Sequence, residues 1–337
     1  MSGSKKTQKG QFNTTNVDYI LEGFESKVAN KHVIDPFCGE NDLLNWAKKH
    51  GSGSTFGVDI DESLEGPDDY VDSFQDPYDY EGSFILMNPP YLAKNKSVDK
   101  TVHNQYNTDD LYKAAIQSIL PSSEGILIIP VNFLSSKEYK TRKMFLENFT
   151  ITECKLFEEQ VFKDTTSTVI ALHYKRGTNK EFILTCTPSL EKYKIFLNSK
   201  HTYLFGEDFF DFIKKGKDVK VKRLMIGDDE PQSNIYLNAL DGGSNHNRIS
   251  LSYKEEHYYG KLTDRSKASI VIPEHTLSIK EQKELCDNFN SILEKYRVKY
   301  KSLFLANYRE SSSLYARKRI GFTQAYQLIG ACLKNSS

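Results

Sequence analysis

His32-Val33-Ile34-Asp35-Pro36-Phe37-Cys38-Gly39-Glu40-Asn41-Asp42-Leu43-Leu44 decides the fold. A short apolar run closes on an acid and a proline, which ends a strand. Leu43-Leu44-Asn45-Trp46-Ala47 then resumes with helical spacing. Small and left-handed-tolerant residues fill the turn between, letting the backbone approach a ligand closely. Working outward, the unit recurs. Thr55 to Ile60 is a second strand closing on Asp59, and Ser83 to Met87 a third, closing on Asn88-Pro89-Pro90-Tyr91. Asp110 to Leu120 sets Leu111, Ala115 and Ile119 on one helical face, and Gly125 to Pro130 is a fully apolar strand. A helix over 142–149 and strands over 151–157 and 168–174 follow, while Phe12 to Val28 reads as a helix upstream. Strand and helix alternate throughout 32–175, which predicts an α/β fold: a doubly wound, mostly parallel sheet with helices on both faces.

After Arg176 the alternation fails. Short strand-like pieces, loops rich in Asn, Ser and Gly, and one helix over 278–300 predict a mixed α+β region. We divide the chain into a first domain, 1–180, and a second, 181–337.

The 337 residues include 20 Phe and 20 Tyr, enough for a real core with aromatics to spare for stacking. No run approaches the roughly 18 apolar residues of a membrane span. The polar start, Met1-Ser-Gly-Ser-Lys-Lys, lacks the apolar segment of a secretory signal. The expectation is a cytoplasmic protein with no membrane partner. Five cysteines are widely spread and eight histidines form no ligand-spaced cluster, so no metal is expected. Net charge is zero but unevenly distributed: residues 1–176 hold 19 basic and 26 acidic side chains, residues 177–337 hold 26 and 19. A basic second half suits a polyanionic partner.

Two constellations carry chemistry. In the first, the strand–turn–helix around Asp35-Pro36-Phe37-Cys38-Gly39 occupies the place where doubly wound sheets bind nucleotides. Asp59, twenty residues past Gly39, ends the next strand where an acid can accept from both ribose hydroxyls. Many α/β proteins share that pattern. The second, Asn88-Pro89-Pro90-Tyr91, is more specific, because a given tetrapeptide arises by chance in such a chain on the order of once in a thousand. An exocyclic amine is a poor nucleophile while its lone pair is delocalised into the ring. The Asn88 side-chain oxygen and the Pro89 carbonyl can each accept one of its N–H groups and favour a pyramidal nitrogen. The prolines fix φ and hold both acceptors ready. Tyr91 would offer a face for stacking the base, which must leave the duplex to reach such a pocket.

These residues resemble the amino-DNA adenine-N6 methyltransferases of the gamma arrangement, whose target-recognition domain follows the catalytic one. The resemblance is to enzymes of bacterial restriction–modification systems and of large DNA viruses of algae. It covers about 1–176 well and the rest loosely. It implies the class I S-adenosylmethionine-dependent methyltransferase fold, with S-adenosylmethionine as methyl donor. It also implies that Phe12 and Thr14 hold the cofactor's methionine end and that Asp35, Pro36, Phe37, Cys38 and Gly39 form its loop. Asp59 would take the ribose, Ile60 one face of the adenine, Asp72 the adenine amino group, and Phe162 the far side of a flipped base. Two departures stand out: Asn41 replaces a second glycine, and Ser73 separates Asp72 from Phe74. Asn tolerates the left-handed region, so the turn is expected to survive.

Residues 181–337 would then read double-stranded DNA. Arg248, Arg265, Lys267, Arg309, Arg317, Lys318 and Arg319 are the candidate phosphate and base contacts. The resemblance further implies a monomer acting on a short site, with a cognate restriction endonuclease as a companion. A protein-glutamine methyltransferase, or an RNA amino-group methyltransferase, is the alternative, because a side-chain amide also suits Asn-Pro-Pro-Tyr.

Overall fold

The computed structural model describes Thr14 and residues 16–136, 138–162, 168–199, 203–228, 233–242, 248–308 and 317–336. The chain divides into two units, Met1–Tyr203 and Leu204–Ser337. Among the described residues no helix is long and apolar enough to cross a membrane.

The first unit is built on one nine-stranded sheet. β1 (His32–Asp35) pairs in parallel with β2 (Ser54–Asp59) on one side and β4 (Phe84–Met87) on the other. β3 (Asp69–Tyr70) extends the β2 side and β5 (Glu124–Pro130) the β4 side, both in parallel. β7 (Val169–Arg176) is antiparallel between β5 and β6 (Phe149–Phe157), and β8 (Glu181–Thr187) and β9 (Lys192–Phe196) complete the order 3-2-1-4-5-7-6-8-9. The predicted mostly parallel α/β sheet is therefore observed.

The helices of this unit follow the sequence periodicity. α1 (Val17–Leu21) and α2 (Glu25–Val28) replace the single predicted helix, because Gly23 at φ 88° breaks the run. α3 (Asp42–Lys49) buries Leu43, Leu44, Trp46 and Ala47. α4 (Thr101–Gln105) and α5 (Leu111–Ser118) lie between β4 and β5, while α6 (Asn132–Ser135) and α7 (Lys140–Asn148) lead from β5 to β6.

The chain steps from β1 outward to β2, and from β4 outward the opposite way to β5. Strand order thus reverses between β1 and β4, and a crevice opens beyond their carboxyl ends. Asp35 and Asn88 stand there. Gly57 of β2 permits the close approach of α3: a Cβ there would meet Asn41 Oδ1 and Leu44 Cδ1 at 2.7 Å and Cys38 Sγ at 3.0 Å. All five cysteines are buried and none is in a disulfide.

The sequence division at 180/181 falls between β7 and β8. β8 instead pairs in parallel with β6, and β9 with β8, so both strands belong to the first sheet. Their alternating burial matches a sheet edge, but periodicity alone does not say which sheet a strand joins.

The second unit is mixed α+β. β10 (Lys222–Arg223), β11 (Ile235–Asn238), β12 (Ser250–Tyr253) and β13 (Lys267–Val271) form an antiparallel sheet in the order 10-13-11-12. β14 (Ala306–Tyr308) and β15 (Arg317–Arg319) form a separate pair. Its core gathers Phe209 and Ile213 of α8 (Glu207–Lys214), Leu285, Phe289 and Leu293 of α9 (Ile279–Lys299), and Leu328 and Ile329 of α10 (Phe322–Ser336). A capping box starts α9: Ser278 accepts from the Glu281 amide, and the Glu281 carboxylate accepts from the Ser278 amide.

Candidate active site

The turn after β1 is left-handed at Gly39 (φ 54°) and Asn41 (φ 64°), so Asn41 adopts the conformation expected of it. Nothing lies within 4 Å of where a Gly39 Cβ would stand, leaving open space beside the loop. The turn is tied to the end of β2 through Asp59. Gly39 N donates to Asp59 Oδ2 at 3.0 Å, and Asp61 N to Oδ1 at 2.9 Å. A carboxylate offers about four acceptor positions, so Asp59 retains capacity for a diol.

Asp35 is buried and accepts from Phe37 N at 3.0 Å. Among the described residues no cation forms an ion pair with it. Burial pushes its carboxyl up to about 8, Asp59 adds to the rise, and the Phe37 amide opposes it. A buried acid without a counter-charge favours a cationic ligand. Asp35 lines a small recess with Thr14, Gly39 and Asn88. Burial, with Asp35 and Asp59 nearby, pushes the Cys38 thiol up, which leaves it unreactive.

Next to this recess lies a cavity of about 500 Å³. Pro36, Phe37, Gly39, Asp59, Ile60, Asp72, Phe74, Asn88 and Pro90 line it, with Ser97, Val98, Asp99 and Val102 from the segment around α4. Phe37 and Phe74 pack at 5.0 Å between ring centroids, and Ser73, which also lines the cavity, donates from Oγ to Pro36 O at 2.8 Å. Phe74 is therefore the ring after Asp72 that faces the cavity. Asp72 Oδ1 accepts from Phe74 N at 2.9 Å. Ile60 is 52% exposed and Val98 fully exposed, an apolar rim around acceptor carboxylates. Flat apolar walls, an acid with acceptor capacity to spare and a buried acid without an ion-pair partner fit a nucleoside carrying a cationic tail. These residues fit S-adenosylmethionine.

In the loop Asn88–Tyr91 the tyrosine is held through its hydroxyl. Its ring is buried, lies edge-on to Tyr112 at 6.3 Å and does not line the cavity. Its one hydroxyl proton is shared between two acceptors, Asn88 Oδ1 and, at 2.7 Å, Ile128 O. Burial holds that hydroxyl protonated, well above the ordinary tyrosine range, so it remains a donor. Asn88 Nδ2 in turn donates to Thr14 Oγ1 at 2.9 Å. Asn88 is thus gripped at both ends, with a second lone pair left on Oδ1. Pro89 is buried, and half-buried Pro90 reaches the cavity.

Below the loop, Leu92 N donates to Asp110 Oδ1 at 3.1 Å, and Leu92 O lies 2.9 Å from His103 Nε2. Burial pushes Asp110 up to about 6, reinforced by Asp109 and opposed by the Tyr112 amide, Lys113 and the Leu92 amide. His103 is fully buried on α4, and its Nδ1 has no hydrogen-bond partner among the described residues. Gln105 Nε2 and the Tyr106 hydroxyl donate to Phe74 O at 3.2 and 2.9 Å. The segment around α4 therefore bridges the cavity wall at Phe74 and the chain just after Asn88–Tyr91. A five-residue helix is too short to leave a periodic signature in sequence, so these side chains went unread.

Phe162 is also buried and does not line the cavity; its carbonyl accepts from Gln160 Nε2 at 2.8 Å. Phe12 and Arg309 lie outside the described residues. Arg248 is exposed and paired with Glu294 at 2.7 Å. Arg265 is exposed but donates to Asp264 O at 3.0 Å in its own turn. Lys267 lies over the Tyr258 ring at 4.3 Å. Arg317, Lys318 and Arg319 are half-buried in β15, where burial and Arg297 push Lys318 down to about 8 against the pull of Asp241. Their strand position limits the access a phosphate would need. Among the described residues, Glu158, Cys186 and Glu191 bring potential metal-ligand atoms within 4.8 Å, but none lines the cavity.

No protein-family model and no curated protein matches the chain. Solved structures similar to part of it include the modification subunit of an inferred type I restriction enzyme from Vibrio vulnificus, at 19% identity and a TM-score of 0.44 over 55% of this chain and 49% of that one. Another is the methyltransferase subunit of a type I restriction-modification system from Streptococcus thermophilus (17%, TM-score 0.40, 60% and 53%). A third is an inferred class I S-adenosylmethionine-dependent methyltransferase from Listeria monocytogenes (16%, TM-score 0.41, 52% and 65%). The chain spans less than two thirds of the length of each.

Proposed function

We propose that this chain is a site-specific DNA methyltransferase that methylates N6 of a flipped adenine in duplex DNA. The observation that carries the reading is the Asn88 amide, held by Thr14 and Tyr91 at the carboxyl end of β4, at the wall of a cavity that Asp59 borders.

S-adenosylmethionine, when bound, supplies an electrophilic methyl group on a cationic sulfonium. Asp59 takes the ribose hydroxyls, Phe37, Ile60 and Phe74 enclose the cofactor's adenine, and Asp72 accepts from its amino group. Asp35 meets the positive charge of the ligand's amino-acid end. At the target, the free lone pair of Asn88 Oδ1 and the Pro89 carbonyl accept the two N–H groups of the amine and turn its lone pair toward the donor. The amine becomes acidic as the new bond forms, so no strong base is required of the chain. Tyr91 orients Asn88 in this scheme, replacing the stacking role read from sequence. The second unit supplies contacts to DNA, and monomeric action alongside a companion endonuclease belongs to the same reading.

The test is methyl transfer from radiolabelled S-adenosylmethionine to unmethylated duplex DNA, duplex RNA and a glutamine-bearing protein offered in parallel. Label confined to DNA supports the proposal. Label in RNA or protein, with none in DNA, replaces it with the corresponding alternative.

A further inference from the structure

Residues Lys214 to Arg223, Lys-Lys-Gly-Lys-Asp-Val-Lys-Val-Lys-Arg, place six cations and one acid in ten positions. The segment runs from the end of α8 into β10. Its backbone is seated tightly on α10: a Cβ at Gly216 would meet Gln327 O at 2.1 Å and Ala331 N at 2.2 Å, and one at Gly330 would meet Gly216 O at 2.4 Å. The lysines therefore project from a fixed backbone. A groove of about 470 Å³ lies there, bordered by Lys217, Lys220, Lys222, Thr323, Tyr326 and Gln327. All three lysines are exposed.

The neighbouring charges leave the groove positive. Lys220 pairs with Glu274 at 2.7 Å, and Asp218 lies 3.7 Å from Lys334. Lys217 and Lys222 have no acidic partner among the described residues. Arg223 stands 5.0 Å over the Phe322 ring, which stacks on Tyr326 at 6.0 Å and 8°. The second unit as a whole holds 22 basic and 17 acidic side chains.

We propose that this groove holds the phosphodiester backbone of duplex DNA. The inference rests on the reading of the chain as a DNA methyltransferase and assigns its backbone contact to residues other than Arg248, Arg265, Lys267 and the Arg317–Arg319 strand. Lysines act on phosphate as point charges and carry no base preference, while Thr323 and Gln327 add neutral donors. Rows of cations on a rigid support release condensed counterions from a duplex, the main source of sequence-independent affinity. The contact positions the duplex and does not read sequence.

The test is fluorescence anisotropy with a labelled 30-base-pair DNA duplex, and a duplex RNA of the same sequence, across a salt series. The proteins compared are the parent, Lys217→Gln/Lys220→Gln/Lys222→Gln, and a control, Lys140→Gln/Lys175→Gln/Lys192→Gln, with cofactor affinity measured on each. The groove variant is expected to bind DNA on the order of a hundredfold more weakly at 0.1 M salt. Its log–log salt slope should be shallower by about 2.7, with the control and cofactor affinity unchanged. Should the triple variant lose cofactor binding, Lys222→Gln alone is expected to flatten the slope by about 0.9. Parent-like affinity and slope in the groove variant, with the parent binding DNA, overturns this inference and leaves the proposed function standing. A parent that binds cofactor but no duplex DNA, or binds only the RNA, overturns both.

Discussion

Replacing Tyr91 by Phe removes one oxygen and keeps the ring. In the structure that hydroxyl's one proton is shared between two acceptors, Asn88 Oδ1 and Ile128 O. Removing that donor leaves both acceptors short of a partner, which lowers stability by about 1–3 kcal/mol. The bond to Asn88 is the one that bears on turnover. A loss of about 1–2 kcal/mol of orientation in the transition state slows kcat by about 5- to 30-fold. Cofactor affinity is expected to hold, because Tyr91 does not line the cavity. Single-turnover methylation of a duplex, with cofactor binding by calorimetry, separates these effects. A ring that stacked on a flipped base would lose little in Tyr91→Phe and much in Tyr91→Ala. Parent-like single-turnover rates in Tyr91→Phe, with a collapse in Tyr91→Ala, would therefore refute the orienting role and restore stacking.

Asp59→Asn exchanges a carboxylate that anchors two loop amides for an amide with one acceptor, and should weaken S-adenosylmethionine binding about 10- to 100-fold by calorimetry; unchanged affinity removes Asp59 from the ligand site. Asp35, raised to about 8 when folded from about 3.9 when unfolded, contributes stability that is complete below pH 4 and lost as pH rises toward 8. The melting temperature of the ligand-free protein should thus fall from pH 5 to pH 8 more steeply than that of Asp35→Asn, and parallel profiles contradict the buried, unpaired carboxyl. His103→Ala frees the Leu92 carbonyl and should lower kcat about tenfold with little change in cofactor affinity, whereas His103→Gln, which can still donate, should recover most of it. Equal defects in the two variants would indicate packing alone.

The sheet was readable because its strands are short apolar runs that close on chemistry: Asp35, Asp59 and Asn88 each mark a carboxyl end. The turn at Asn41 was readable from the conformational tolerance of that side chain. Tyr91 was not, because a tyrosine beside two prolines is equally consistent with a ring facing a ligand and a hydroxyl buttressing a neighbour. Only the position of Ile128, 37 residues away on β5, separates the two. Burial of Phe162 is similarly a tertiary fact. β8 and β9 escaped because an alternating strand carries no label for the sheet it joins. Clusters of arginine drew attention in the second unit, yet Arg317 to Arg319 are half-buried in a strand. The denser Lys214–Arg223 run gained its meaning only once Gly216 was seen pressed against α10.

The most direct test of methylation at N6 of adenine in DNA is mass spectrometry of nucleosides from duplex DNA digested after incubation with the protein and S-adenosylmethionine. The account predicts N6-methyladenosine in its deoxy form as the methylated product, and none above background with Asn88→Ala of normal cofactor affinity. A methylated cytosine or guanine in place of methylated adenine, or undiminished product from Asn88→Ala, would contradict it.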